Sequence, residues 1–145
     1  HGPEPLNESF TLQLFKNMIS KRKRNIKALL LDQSFLSGLG NIYVDESLWK
    51  SKIHPNSLAS LIPPKKVENL HTNIKTTLQD AINQNGTTII DFSVNGQSGS
   101  YTNSLSVYGR ANKDCLKCKS KITKLKVTGR GTYVCNKCQK TYGER

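Results

Sequence analysis

The most specific chemistry in the sequence belongs to its four cysteines, Cys115-Leu-Lys-Cys118 and Cys135-Asn-Lys-Cys138, two CxxC pairs with sixteen residues between them and no cysteine elsewhere. That spacing is the pattern of a four-thiolate zinc ribbon: each pair supplies two ligands and the stretch between them folds back as a hairpin. Lys117, Lys119 and Lys137 stand beside the thiolates and offset the excess negative charge of four of them around one Zn²⁺. Two disulfides are the competing use of the same residues. The chain opens without the charged-then-apolar layout of a secretory leader, which points away from an oxidising compartment. A redox CxxC needs a strand-then-helix context that a short basic hairpin lacks.

Two further groups of residues are suited to gripping a polyanion. Gly38-Leu-Gly40-Asn41 is a glycine turn in front of a helical pattern. Glycines let a backbone approach a ligand closely, and a helix N-terminus offers unpaired N–H groups and the positive end of a dipole, so the turn reads as a phosphate seat. Asn41 is expected to cap that helix and still present its amide, with Lys23 and Lys27 reaching the same phosphate backbone. The second group is Thr128-Gly129-Arg130-Gly131-Thr132, between the cysteine pairs. An arginine between glycines at a hairpin tip is free to extend and to grip phosphate with its bidentate fork.

The elements that position these residues follow from periodicity and punctuation. Apolar residues at a spacing of four predict an amphipathic helix from Asn7, as cap, to about Arg24. Ile26 to Asp32 reads as a short buried helix, and Ile42 to Lys50 as a second one behind the glycine turn. Pro63-Pro64 opens a long helix with Val67, Leu70, Ile74, Leu78, Ala81 and Ile82 on one face, and Asn85-Gly86 is expected to end it. Thr87 to Phe92 adds a short helix or turn. Val94 to Thr102, rich in glycine and small polar residues, is expected to be a mobile loop. Alternation in Lys124-Leu-Lys-Val127 and Thr132-Tyr-Val134 predicts two short strands. Trp49, Tyr43 and Phe92 are expected in the core, and Asp45 and Glu46 early in their helix, where they favour its dipole.

The expected fold class is therefore mainly α, a helical domain over residues 1–110 followed by a β-hairpin zinc ribbon over residues 111–145. The ribbon is too small to bury much of a core, so its fold should depend on metal. The 145 residues carry 22 Lys+Arg against 10 Asp+Glu, a formal net charge of +12, which points to nucleic acid as partner. The charge is concentrated in Lys16, Lys21, Arg22, Lys23, Arg24 and Lys27 and again from Lys113 to Arg145, as for two contacts with one phosphate backbone. No apolar run is long enough to span a bilayer, and a soluble, cytoplasmic protein is expected.

Six segments together resemble the C-terminal half of the bacterial formamidopyrimidine-DNA glycosylases: Gly2-Pro-Glu-Pro-Leu6, Gln33 through Glu46, Ile53-His-Pro55, Gly86-Thr-Thr88, Val107-Tyr-Gly-Arg110, and the CxxC pairs around Gly129-Arg-Gly-Thr132. They stand in the family's order and the likeness covers essentially the whole chain. It implies a helix-two-turns-helix domain with a zinc ribbon, one Zn²⁺ held by Cys115, Cys118, Cys135 and Cys138, and damaged duplex DNA as partner of a monomer. The family excises oxidised purines such as 8-oxoguanine and formamidopyrimidines and then cuts the strand as an AP lyase in base-excision repair. Carried over by motif, the DNA-binding residues are Lys23, Lys27, Asn41 and Arg130, to which the reading of the glycine turn as a phosphate seat adds Gly38 and Gly40. Arg130 also takes the family's proton-donor role in δ-elimination. The loop over the everted base falls on Val94, Asn95, Gly96, Gln97, Ser98, Gly99, Ser100, Tyr101 and Thr102.

One departure limits the likeness. The family's nucleophile is the free secondary amine of an N-terminal proline on a separate catalytic domain. Pro3 does not replace it, because its nitrogen is acylated by Gly2 and its lone pair is tied up in amide resonance. The expectation is a DNA-binding portion that lacks the N-terminal catalytic domain. A non-enzymatic zinc-ribbon protein that binds nucleic acid is the alternative, and it leaves the glycine turn and the arginine-tipped hairpin unexplained.

Overall fold

Thr11, in extended conformation, starts the first helix of the computed structural model by accepting the Leu14 N–H on its hydroxyl at 3.1 Å. The structure describes residues 1–95 and 105–143, with side chains for 1–84 and 105–143. Helix α1 spans Leu12–Ser20, α2 Ile26–Leu31, α3 Asn41–Ser51 and α4 Pro64–Asn95, with a 3₁₀ turn at Ala59–Leu61. Strands β1 (Thr123–Val127) and β2 (Arg130–Val134) follow as an antiparallel hairpin.

The first helix is shorter at both ends than its periodicity predicts. Asn7 does not cap it; its side chain instead accepts the Ser9 N–H at 2.9 Å in a local turn. At the other end the basic run leaves the helix, and Asn25 starts α2 by accepting the Ala28 N–H at 2.8 Å. The cap at Thr11 thus starts α1 later than read and the helix stops before the basic run, while α2 starts at Ile26 as read. The long helix errs in the opposite direction: its backbone continues through Asn85-Gly86 to Asn95. An interior glycine costs a helix only about 1 kcal/mol, too little to stop one that already has many turns. The expected loop therefore begins inside α4, with Val94 and Asn95 on its last turn; Gly96 to Thr102 lie outside the described residues.

Two apolar clusters organise the chain. The larger packs α1, α2, α3 and the first half of α4 around fully buried Phe10, Phe15, Leu30, Leu48 and Leu70. Phe10 and Phe15 meet edge to face at 5.1 Å, and His71, which pairs with the Phe10 carbonyl through Nε2 at 2.9 Å, lies against both rings. The smaller cluster holds Cys115, Ile122 and Cys135 of the ribbon together with Val107 and, from α3, Trp49. The chain end returns to the helices, with the His54 N–H on the Lys140 carbonyl at 2.8 Å and the Leu58 N–H on the Tyr142 carbonyl at 2.9 Å.

Candidate metal centre and nucleic-acid interface

The hairpin brings the two CxxC pairs together so that all four Sγ atoms lie within 4.8 Å of one another. Cys115 and Cys138 sulfurs are 3.8 Å apart and those of Cys118 and Cys135 3.4 Å. Tetrahedral zinc with Zn–S bonds of about 2.3 Å needs sulfurs about 3.8 Å apart, so the four free cysteines fit one zinc ion. Burial, and then the neighbouring sulfurs, pushes the Cys138 thiol up to about 12, whereas hydrogen bonds from Ser120 hold Cys118 at about 6. Thiols crowded in this way ionise together only around a cation, which is what zinc supplies.

Arg130 is not at the tip itself. Val127 pairs with Arg130 across a two-residue turn, and Thr128 and Gly129 both take positive φ, 49° and 80°. That is the turn whose twist matches the strands, and it makes Arg130 the first residue of β2, with its side chain exposed.

Gly38 has φ of 92° and turns the chain into α3. The helix is capped by Gly40, with no side-chain cap; Asn41 is its first residue rather than its cap. The Asn41 amide points across to the hairpin, donating to the Gly131 carbonyl at 3.1 Å and to the Tyr108 hydroxyl at 3.2 Å. The glycine turn is braced from behind by the chain start. The Gly2 N–H donates to the Gln33 carbonyl at 2.9 Å, the Ser37 N–H to the Pro3 carbonyl at 3.0 Å, and the Ser37 hydroxyl to the Gly2 carbonyl at 3.0 Å. A Cβ on Gly2 would overlap the Phe35 carbonyl, so this strap needs glycine.

The two candidate lysines differ. Lys23 is exposed. Lys27, expected to contact DNA, is fully buried: its ammonium donates to Asp45 Oδ1 at 2.8 Å, Thr132 Oγ1 at 2.8 Å and the Gly131 carbonyl at 3.2 Å. The other Asp45 oxygen accepts the Tyr133 N–H at 2.9 Å. Burial pulls the Lys27 ammonium below its usual range and pushes Asp45 above its own, each opposed by the charge of the other. Lys27 is thus a tie between α2, α3 and β2 with no face left for a phosphate.

Asp45 and Glu46 are the polar residues that the dipole reading undervalued; neither is in the first turn of α3. Glu46 is 2% exposed, and its carboxylate accepts the N–H groups of Ser106, Val107 and Tyr108, each at 2.8 Å. It thereby fixes the chain on its way into the ribbon, and Tyr108 stacks edge-on against Tyr133 at 4.7 Å. The available signal was a pair of adjacent acids, between Val44 on one side and Leu48 and Trp49 on the other, in a strongly basic chain.

An all-helical unit whose glycine turn and zinc-ribbon hairpin are locked edge to edge defines a class, the helix-two-turns-helix proteins with a four-cysteine finger. Residues 1–93 match the formamidopyrimidine-DNA glycosylase H2TH domain, and residues 113–141 match the zinc finger found in FPG and IleRS. The chain belongs to the formamidopyrimidine-DNA glycosylase H2TH family. It is 49% identical over 142 residues to the formamidopyrimidine-DNA glycosylase of Lactobacillus gasseri and 46% identical over 140 residues to that of Pelotomaculum thermopropionicum. In both cases it covers at least 96% of itself and 51% of the relative, so it spans about half the length of these proteins. Among solved structures, Lactococcus lactis Fpg in complex with DNA containing an abasic site superposes with a TM-score of 0.88 at 42% identity, over 97% of this chain and 52% of that one. The complex of the same enzyme with DNA containing N7-benzyl-Fapy-dG gives 0.87 at 42% identity over 97% and 51%. Among the described residues no helix is long and apolar enough to cross a membrane.

Proposed function

We propose that this chain is the DNA-binding portion of a bifunctional DNA glycosylase and AP lyase that removes oxidised purines, such as 8-oxoguanine and formamidopyrimidines, in base-excision repair. By itself it binds duplex DNA and does not cut it. Its partners are damaged duplex DNA and an N-terminal catalytic domain, and its setting is the bacterial cytoplasm, on the nucleoid when DNA-bound.

The observation that carries the reading is Gly40. Its φ of −92° is open to any residue, and a Cβ there would meet nothing within 4 Å. Neither conformation nor internal packing asks for glycine, and Asp, Ser or Asn would cap α3 better. What the glycine does is keep side-chain bulk off the uncapped N-terminus of α3, where a phosphate can sit on the backbone N–H groups. Gly38 and Gly129 are equally open, and Arg130 is one residue from the Gly131 carbonyl that Asn41 holds. Lys23 supplies a further cation. In this reading Asn41 sets the spacing between the helix terminus and the hairpin, Arg130 contacts the DNA backbone and acts as proton donor in δ-elimination in the whole enzyme, and the segment that covers the damaged base begins at the last turn of α4. Residues 1–110 and 111–145 act as the two halves of one clamp.

A gel-shift titration over a range of salt tests it. Arg130→Ala, Asn41→Ala and Gly40→Val should weaken duplex binding, Arg130→Ala with a salt slope smaller by about 1. Binding equal to the parent chain at low salt in all three would refute the interface. Borohydride with damaged duplex should trap no covalent adduct, since Pro3 has no free amine.

A further inference from the structure

Trp49 touches the zinc centre from outside the ribbon. It lies on α3, is 5% exposed, and packs in the same cluster as Cys115 and Cys135. Its indole N–H is buried and, among the described residues, has no hydrogen-bond partner. A buried N–H left unpaired is rare and asks for an acceptor that is still to come. Cys115 is one of the two fully buried sulfurs in that cluster, and it belongs to the knuckle that covers the indole. A neutral cysteine thiol is only a weak acceptor for such an N–H. Zinc would turn this sulfur into a metal-bound thiolate, a full acceptor. The same knuckle reaches the indole a second time, with Lys117 Nζ 5.4 Å from the ring centroid while the Lys117 N–H donates to Cys115 Sγ at 3.5 Å.

We infer that the Trp49 indole N–H donates to the zinc-bound thiolate of Cys115, which makes α3 part of the metal centre. Trp49 is a positioning residue: it orients one ligand and spreads its negative charge, as hydrogen bonds to metal-bound sulfur do. It is also the one tryptophan in the chain, so its emission reports on the metal.

The full chain is produced with benzothienylalanine in place of Trp49, which keeps the bicyclic shape and replaces only the ring N–H by sulfur; Trp49→Phe is the second variant. Zinc affinity is read by competition with a chromophoric chelator, and the cobalt-substituted proteins are compared by their thiolate-to-metal charge-transfer bands. Both variants should hold zinc about tenfold more weakly, with a shifted cobalt band and the helical circular dichroism retained. In the parent chain, tryptophan emission should change as zinc is withdrawn. The inference is overturned if the benzothienyl chain matches the parent in zinc affinity and cobalt band. A loss confined to Trp49→Phe also overturns it, since packing and not the N–H would then be responsible.

Discussion

The helical unit and the ribbon are held together by different physics. In the helical unit, side chains from four helices bury one another, and Phe10, Phe15, Leu29, Leu30 and Leu70 are entirely removed from water. Among the described residues, the ribbon's cluster fully buries Cys115, Ile122 and Cys135 of the ribbon, with Cys118, Tyr133 and Cys138 partly buried against them, and takes Trp49 from α3. Apart from Tyr142, which packs against the helical core, and the Tyr108–Tyr133 contact, the ribbon is attached by polar groups: Lys27 and Asn41 on the Gly131 carbonyl, Asp45 on the Tyr133 N–H, and Gln139 between the Cys135 N–H and the Ile53 carbonyl. A hydrophobic core tolerates small shifts of its parts, whereas hydrogen bonds with fixed partners set a register. The helical unit is thus built for stability and the hairpin for position.

Metal removal should split the two most strongly. Structural zinc contributes on the order of 10 kcal/mol to small cysteine domains. Chelation should therefore abolish amide protection in Thr123–Val134 while leaving it in α1 to α4, read by hydrogen exchange. Simultaneous loss in both regions would break the contrast.

Lys27→Met comes next. It leaves Asp45 charged and buried without its partner, which costs about 3–5 kcal/mol in denaturant unfolding. The double variant Lys27→Met/Asp45→Asn should recover a large part of that loss, because no uncompensated charge remains. A double variant as unstable as the sum of the singles would mean that the pair is not one unit.

Thr11→Ala tests the helical unit alone and should cost about 1 kcal/mol with unchanged zinc affinity.

The smallest effect belongs to the exposed counterpart of the buried pair, Arg24 with Asp32 at 2.6 Å. Hydrogen bonds from Ser34, and then Arg24, hold the Asp32 carboxyl well below its ordinary 3.8. A carboxyl lowered in the folded state stabilises above its unfolded value, and that stabilisation is lost as pH falls. The melting-temperature gap between the parent chain and Asp32→Asn should accordingly be present at neutral pH and shrink below about pH 4. A gap independent of pH would remove the carboxylate from the account.

What was legible in the sequence depended on how local its cause was. The metal ligands could be read directly, because a tetrahedral ion fixes both the residue type and the spacing of its thiolates. Pro64 opens α4 as read, since its ring suits a first helical turn and no other. Asn85-Gly86 misled because glycine discourages a helix without forbidding one, and Asn7 misled because Thr11, four residues on, was the better-placed cap.

The basic run shows the limit most clearly. Lys23 and Lys27 are four residues apart and look alike in sequence, yet one is exposed and the other is sealed between α2, α3 and β2. Asn41 likewise changes from a helix cap to a bridge to Gly131, and Asp45 and Glu46 from dipole partners to anchors of the chain entering and forming the hairpin. The sequence by itself determined the zinc centre, the helical unit, the charge and the family resemblance, all of which follow from residue type and short-range spacing. Only the tertiary structure decided which charges face solvent and which hold the two regions in register, because burial is set by partners some 20 to 100 residues away, such as Asp45 and Thr132 for Lys27.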